Sequence, residues 1–378
     1  MNPNRRVFRY EDLSIGVHSY EDSHLDWLEE FLSPQFGVEN GTAADWELTL
    51  ALDGNRYDEI ARLGPKQDEM LCFALDTRDI RLPRWNSSSS AAVLFDESFD
   101  TFYLVEARAR RITLLSRVDG GAARIALMRV VRELAMNHTQ RDGGVLLHAA
   151  AFTVGSRAVI VAGPKGAGKT TLLMYALQSI PSEYVSNDRL LLSLDDRGPR
   201  IRGIPTIVTL RQSTLCFFPP VLERLQERGY TVRLTRNEAR KSRPSDRAAW
   251  HDRPRSLSPG QLCALLEAPS TAGAPLAAVA FPQLSDRAGP LRLTRIPKKR
   301  AAKRLFDSLF GVRKLRTTSP LFSDAPDQPP FDRDRLEGAC AALTSSVPCY
   351  ECELGPDVYT DPRSPEVLLD QFLRDGTE

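Results

Sequence analysis

RAVIVAGPKGAGKTTLLMYALQSIPSEYVSNDRLLLSL, residues 157–194, decides how the chain is read. An apolar run of buried-strand type, Arg157–Gly163, meets a glycine-rich turn and then a helix start at Thr170-Thr171-Leu172-Leu173. Gly163-Pro164-Lys165-Gly166-Ala167-Gly168-Lys169-Thr170 fits GxxxxGK[ST] in full. The glycines let successive backbone N–H groups converge on phosphate oxygens at the positive end of the following helix. Lys169 supplies a charge for the β- and γ-phosphates, and the Thr170 hydroxyl is a ligand for Mg²⁺. Gly163 to Thr171 is the expected nucleotide-binding stretch.

Phosphoryl transfer also needs a carboxylate beside the metal and a group that takes the acceptor's proton. After the helix comes Tyr184-Val185-Ser186-Asn187-Asp188-Arg189. Asp188 is therefore the first candidate for both tasks, with Thr170 as its companion at the metal. His148 lies one strand earlier, on a segment expected to run beside the cradle strand. Asn187 is a candidate substrate contact, and Arg211, in TIVTLRQSTL, a candidate phosphate contact. The bland alternatives are a core histidine at 148 and a turn capped by Asn187 and Asp188.

These residues resemble the HPr serine kinase/phosphorylase family and its kinase-like relatives in biosynthetic clusters. In that family a histidine stands fifteen positions before the first cradle glycine, as His148 does before Gly163. The family's paired-aspartate strand is similar to Tyr184–Asp188, and its RG-containing strand to Ile201-Arg202-Gly203-Ile204. The resemblance spans roughly residues 144–211. It implies an α/β fold with a P-loop core related to phosphoenolpyruvate carboxykinase, carrying a β-rich N-terminal domain. It further implies an ATP- and Mg²⁺-dependent kinase acting on a serine or other hydroxyl of a peptide, protein or small molecule, and a homo-oligomer.

The chain departs from the family at three points. Asn187 stands where the first aspartate of the pair is expected, Arg200 where a glutamate is expected, and no PGRN-like segment for inorganic phosphate occurs late in the chain. An amide accepts no proton, so the base falls to Asp188 or His148 and the reverse phosphorolysis is expected to be lost. The alternative is a nucleotide-dependent ATPase or switch acting on a partner, without a phosphorylated product.

The rest of the sequence reads outward from this core. Residues 1–120 form a β-rich domain, with strands expected at 46–53, 71–77, 91–96, 102–107 and 110–117. A helix is expected from Asp22 to Leu32, stopped by Pro34. Residues 121–142 read as a bridging helix and 143–378 as the kinase-like domain. Its basic, proline-containing loop at 234–257 is expected to be mobile and to end at a capping box, Ser258-Pro259-Gly260-Gln261. Residues 317–333 read as a linker, and 298–310 as a basic amphipathic helix with Gly311 as its cap.

Net charge is +1, yet residues 1–60 hold thirteen acids against four arginines, and 291–316 hold ten cations against Asp307. The net charge gives no global argument for a nucleic-acid partner, and none is expected; the local asymmetry fits a solvated surface, two faces that meet, or an acidic partner. No apolar run reaches the ~18 residues of a membrane span, and the N-terminus lacks the apolar run of a signal peptide. A cytoplasmic protein with reduced thiols is expected. Cys349 and Cys352 form a CxxC, but with no second ligand pair nearby they read as free thiols.

Overall fold

The computed structural model describes residues 3–39, 41, 43–74, 79–87, 91–195, 198–228, 254–312 and 332–374. Of the mobile loop expected at 234–257 and the linker expected at 317–333, residues 234–253 and 317–331 lie outside the described residues. The chain divides into two compact units, one reaching to Asp142 and one beginning at Gly143. Both are mixed α/β.

The first unit holds a nine-stranded sheet. Its middle runs Asn4–Tyr10, Leu13–Ser19, Trp46–Leu52, Arg111–Ser116 and Thr101–Glu106. Leu13–Ser19, Trp46–Leu52 and Arg111–Ser116 are mutually parallel, which requires crossovers. The Asp22–Leu32 and Gly54–Leu63 helices lie in those crossovers. Four of the five expected strands hold to within a residue, whereas the one expected at 71–77 begins six residues earlier, as Pro65–Ala74. The Asp22–Leu32 helix has the expected bounds, burying Leu25, Leu28, Phe31 and Leu32. The expected bridging helix, Gly121–Arg141, is grouped with this unit and packs on the Asp22–Leu32 helix and on the Leu13–Ser19 and Arg111–Ser116 strands. It is buried nearly all round, and its covered residues include Arg132, Glu133, Asn137 and Gln140 as well as the apolar ones.

In the second unit, two long strands each serve two sheets. Val145–Val154 pairs through its first half with Arg189–Asp195 and through its second with Arg157–Ala162. Gly273–Leu284 pairs through its start with Gly198–Ile204 and further on with Arg157–Ala162 and Cys349–Leu354. The strand entering the cradle, Arg157–Ala162, thus lies between an antiparallel and a parallel neighbour. Its flanks are almost entirely apolar because both faces are covered. One face carries the helices Lys169–Ser179, Pro219–Arg228, Pro259–Leu266 and Arg363–Arg374. The other carries Lys298–Phe306 and Arg333–Ser346.

Arg157–Ala162, Gly273–Leu284 and Cys349–Leu354 run parallel. The loops after their C-terminal ends therefore share one edge of the sheet, which is where open α/β sheets bind ligands.

The capping box at Ser258 forms in full, with Gln261 N–H donating to Ser258 Oγ and Ser258 N–H donating to Gln261 Oε1. The end of the expected basic loop is not irregular: Arg255–Leu257 forms a strand against Val208–Leu210. The basic helix stops at Phe306, four residues earlier than its periodicity implies. Residues 308–310 leave the helix and bond to the Val145–Val154 strand, where Phe310 N–H donates to the Leu146 carbonyl at 3.0 Å.

Candidate functional site

The cradle is built by backbone geometry. Gly166 and Gly168 have φ of 87° and 100°, values that L side chains rarely adopt. A Cβ on Gly168 would also stand 3.0 Å from Leu354 Cδ1 and 3.2 Å from Leu284 Cδ2. The two leucines end the parallel strands beside the cradle strand. Leu284 is 53% exposed, so this apolar contact lies at the surface.

The helix begins at Lys169, and Leu172 N–H closes its first turn on the Gly168 carbonyl at 2.9 Å. Lys169 folds back over the loop, its Nζ donating to the Gly163 carbonyl at 2.6 Å and to the Pro164 carbonyl at 3.2 Å. Burial pushes the Lys169 pKa down, and the nearby Asp188 charge opposes that shift. The carboxylate therefore acts on the cradle lysine. Thr170 is half-buried in the first helical turn and Thr171 is buried.

Asn187 and Asp188 occupy a bend between the strands Tyr184–Ser186 and Arg189–Asp195, not a strand interior. The bend is fixed from within, since Ser186 Oγ donates to the Arg189 carbonyl at 2.7 Å. The register of the next pairing sets His148 opposite Arg189. That brings His148 Nε2 to 3.0 Å from Asp188 Oδ1, with both side chains about one-third exposed (35% and 37%). Arg189 Nε lies 3.5 Å from the other carboxylate oxygen.

The candidates Lys169, Asp188 and His148 therefore belong to one cluster. Thr170 follows Lys169 on the same helical turn. Thr170 and Asp188 together supply oxygen donors only, the set a hard ion such as Mg²⁺ prefers. The Asp188 charge acts on Lys169, at the start of the helix that follows the loop.

Asn187 is more committed than its sequence suggested. Its Oδ1 accepts from Tyr184 Oη at 2.7 Å and from Thr206 Oγ1 at 3.2 Å. Burial holds the Tyr184 pKa far above its ordinary value, so the phenol remains a donor. With both lone pairs of Oδ1 taken, Asn187 has only its amide N–H groups to offer a ligand.

Arg211 behaves otherwise. It is exposed at the start of the short Gln212–Leu215 helix, and among the described residues no hydrogen bond or ion pair ties its side chain to the cluster. Arg200 is also exposed, paired in register with Ser193 and Pro275.

Two residues at the site escaped the sequence reading. His148 N–H donates to the Ser308 carbonyl at 2.7 Å. The Phe310 ring stacks on the His148 imidazole, with centroids 5.4 Å apart and planes at 28°. The Arg189 guanidinium also lies over the Phe310 ring, 5.1 Å from its centroid. The only local signal was that Phe310 continued an apolar stripe, which pointed to a helix face and not to a histidine.

Compared with protein-family models and with curated proteins, the chain matches none.

Proposed function

We propose that this chain is an ATP- and Mg²⁺-dependent kinase that transfers a phosphoryl group to a hydroxyl, in a peptide or protein acceptor. The observation that carries the reading is the convergence of three groups. A lysine at a helix N-terminus, a carboxylate acting on it, and a histidine 3.0 Å from that carboxylate form one cluster. A structural turn has no need of a desolvated lysine beside a carboxylate–imidazole pair.

In this reading the N–H groups of Gly163–Thr171 and the Lys169 ammonium hold the phosphates. Thr170 and Asp188 would hold Mg²⁺, which when bound neutralises charge on the β- and γ-phosphates. The Asn187 amide donates to the acceptor oxygen and orients it. That oxygen attacks the γ-phosphorus, the bond from phosphorus to the β–γ bridging oxygen breaks, and ADP leaves. The hydroxyl proton passes to the His148–Asp188 pair, whose Nε2 and Oδ1 lie 3.0 Å apart. The Ser308 carbonyl fixes the His148 backbone and the Phe310 ring packs on the imidazole.

A second carboxylate at position 187 would let one acid serve the metal while the other handles the proton. With an amide there, we infer that the enzyme works in one direction. The test is to incubate phosphorylated product with inorganic phosphate. No pyrophosphate is expected, and pyrophosphate release at a rate near the forward rate would refute one-way operation.

A further inference from the structure

Resting on the kinase reading, we propose that the acceptor is a polypeptide recognised through an acidic segment next to its phosphorylated hydroxyl. The dock is the basic surface formed by the Arg292–Arg295 edge strand and the outer face of the Lys298–Phe306 helix.

The surface is strongly one-signed. Residues 292–304 carry seven cations and no acid. Arg300 and Arg304 share a single carboxylate oxygen of Glu351, at 2.8 Å and 2.5 Å. Lys298 is bonded to the Ser345 carbonyl at 3.0 Å. Arg292, Arg295, Lys299 and Lys303 form no ion pair with a described carboxylate. The last three of those four cations, Arg295, Lys299 and Lys303, are exposed.

The helix pays locally for this charge. Its first turn reads Lys298-Lys299-Arg300, three cations at the positive end of the dipole, with Pro297 giving no side-chain cap. Helix stability favours the opposite sign there. A local conflict of this kind marks a surface kept for an anionic partner. The strand adds a second feature: among the described residues Arg292–Arg295 pairs only with Cys349–Leu354, so its outer backbone edge suits an added strand.

The same element ends at the site. The turn after Phe306 supplies Ser308 and Phe310, which hold His148. A helix rises ~1.5 Å per residue and an extended peptide spans ~3.3 Å per residue. Lys303 and Lys299 would then meet side chains about two to five residues from the acceptor hydroxyl. Nucleic acid suits the charge but not the surface, which offers no aromatic platform between its cations.

The experiment measures fluorescence anisotropy of a labelled glutamate-rich peptide carrying one serine, without nucleotide. Its glutamine counterpart and a single-stranded DNA oligonucleotide are run alongside. We expect the glutamate peptide to bind, to loosen as salt is raised, and to lose at least about tenfold in affinity in the Lys299→Glu/Lys303→Glu variant. If that variant misfolds, Lys299→Gln/Lys303→Gln is expected to show a smaller loss in the same direction. Equal binding by a folded variant, equal binding of the glutamine peptide, or tighter binding of the oligonucleotide would each overturn the proposal. Since binding is read without turnover, a chain that transfers no phosphate would sink the kinase reading and leave this result standing.

Discussion

His148 and Asp188 share one bonded contact, Nε2 to Oδ1 at 3.0 Å, made possible by a register that sets His148 opposite Arg189. If the two act as a unit, their substitutions should not add. Asp188→Asn and His148→Gln are each expected to lower turnover by ~100-fold or more, and the double variant to be little worse than the poorer single one. Additive losses in turnover would separate the two residues' roles. Asp188→Asn should also weaken Mg²⁺ dependence, whereas His148→Gln should not.

The same carboxylate supports the charge on Lys169. Burial lowers that lysine's pKa and the Asp188 charge raises it. Removing the charge leaves burial unopposed, so Asp188→Asn should move the Lys169 pKa further down. NMR titration of ¹³C-methylated lysines checks this, with Lys169→Ala assigning the resonance. An unmoved or rising value would place Asp188 out of electrostatic reach.

Gly168 and Gly166 offer a matched comparison within the cradle. Both have positive φ, but only at Gly168 does an added Cβ meet neighbours, Leu354 and Leu284. Gly166→Ala should cost ~1–2 kcal/mol from backbone strain alone. Gly168→Ala should cost more, because Leu354 must also shift. Thermal unfolding of the two variants gives the order, and a smaller loss at Gly168 would contradict the packing described.

Cys349 and Cys352 are an odd number of positions apart in one strand, so they face opposite sides of the sheet and enter different cores. That geometry excludes a shared metal or a disulfide between them. Burial pushes the thiols of Cys263, Cys340 and Cys349 up to about 12 and that of Cys352 higher still. Iodoacetamide on the native protein should modify exposed Cys216 and spare these four until the chain is unfolded. Rapid native labelling of Cys352 would refute its burial.

What the sequence made legible was local. The cradle, the helix that follows it, the Asp22–Leu32 helix and the Ser258 capping box each depend on neighbours a few residues away. The Lys298–Phe306 helix was overextended because its end is set by bonds from 308–310 to the distant Val145–Val154 strand. Phe310 escaped notice for the same reason. Asn187 was seen as a missing carboxylate, but its hydrogen bonds to Tyr184 and Thr206 could not be read from spacing. For Arg211 the structure adds only that it is exposed at the start of the Gln212–Leu215 helix, with no bond to the cluster among the described residues.

Phosphoryl transfer by this chain is decided by where the γ-phosphoryl group goes. The protein is incubated with Mg²⁺, ATP isotopically labelled in its γ-phosphate, and a library of serine-containing acidic peptides, and the products are read by mass spectrometry. Peptides carrying one labelled phosphate on serine are expected, and none when folded Lys169→Ala replaces the wild-type chain. Labelled inorganic phosphate released at a Lys169-dependent rate, with every peptide unmodified, would contradict transfer to a hydroxyl and make the chain an ATPase.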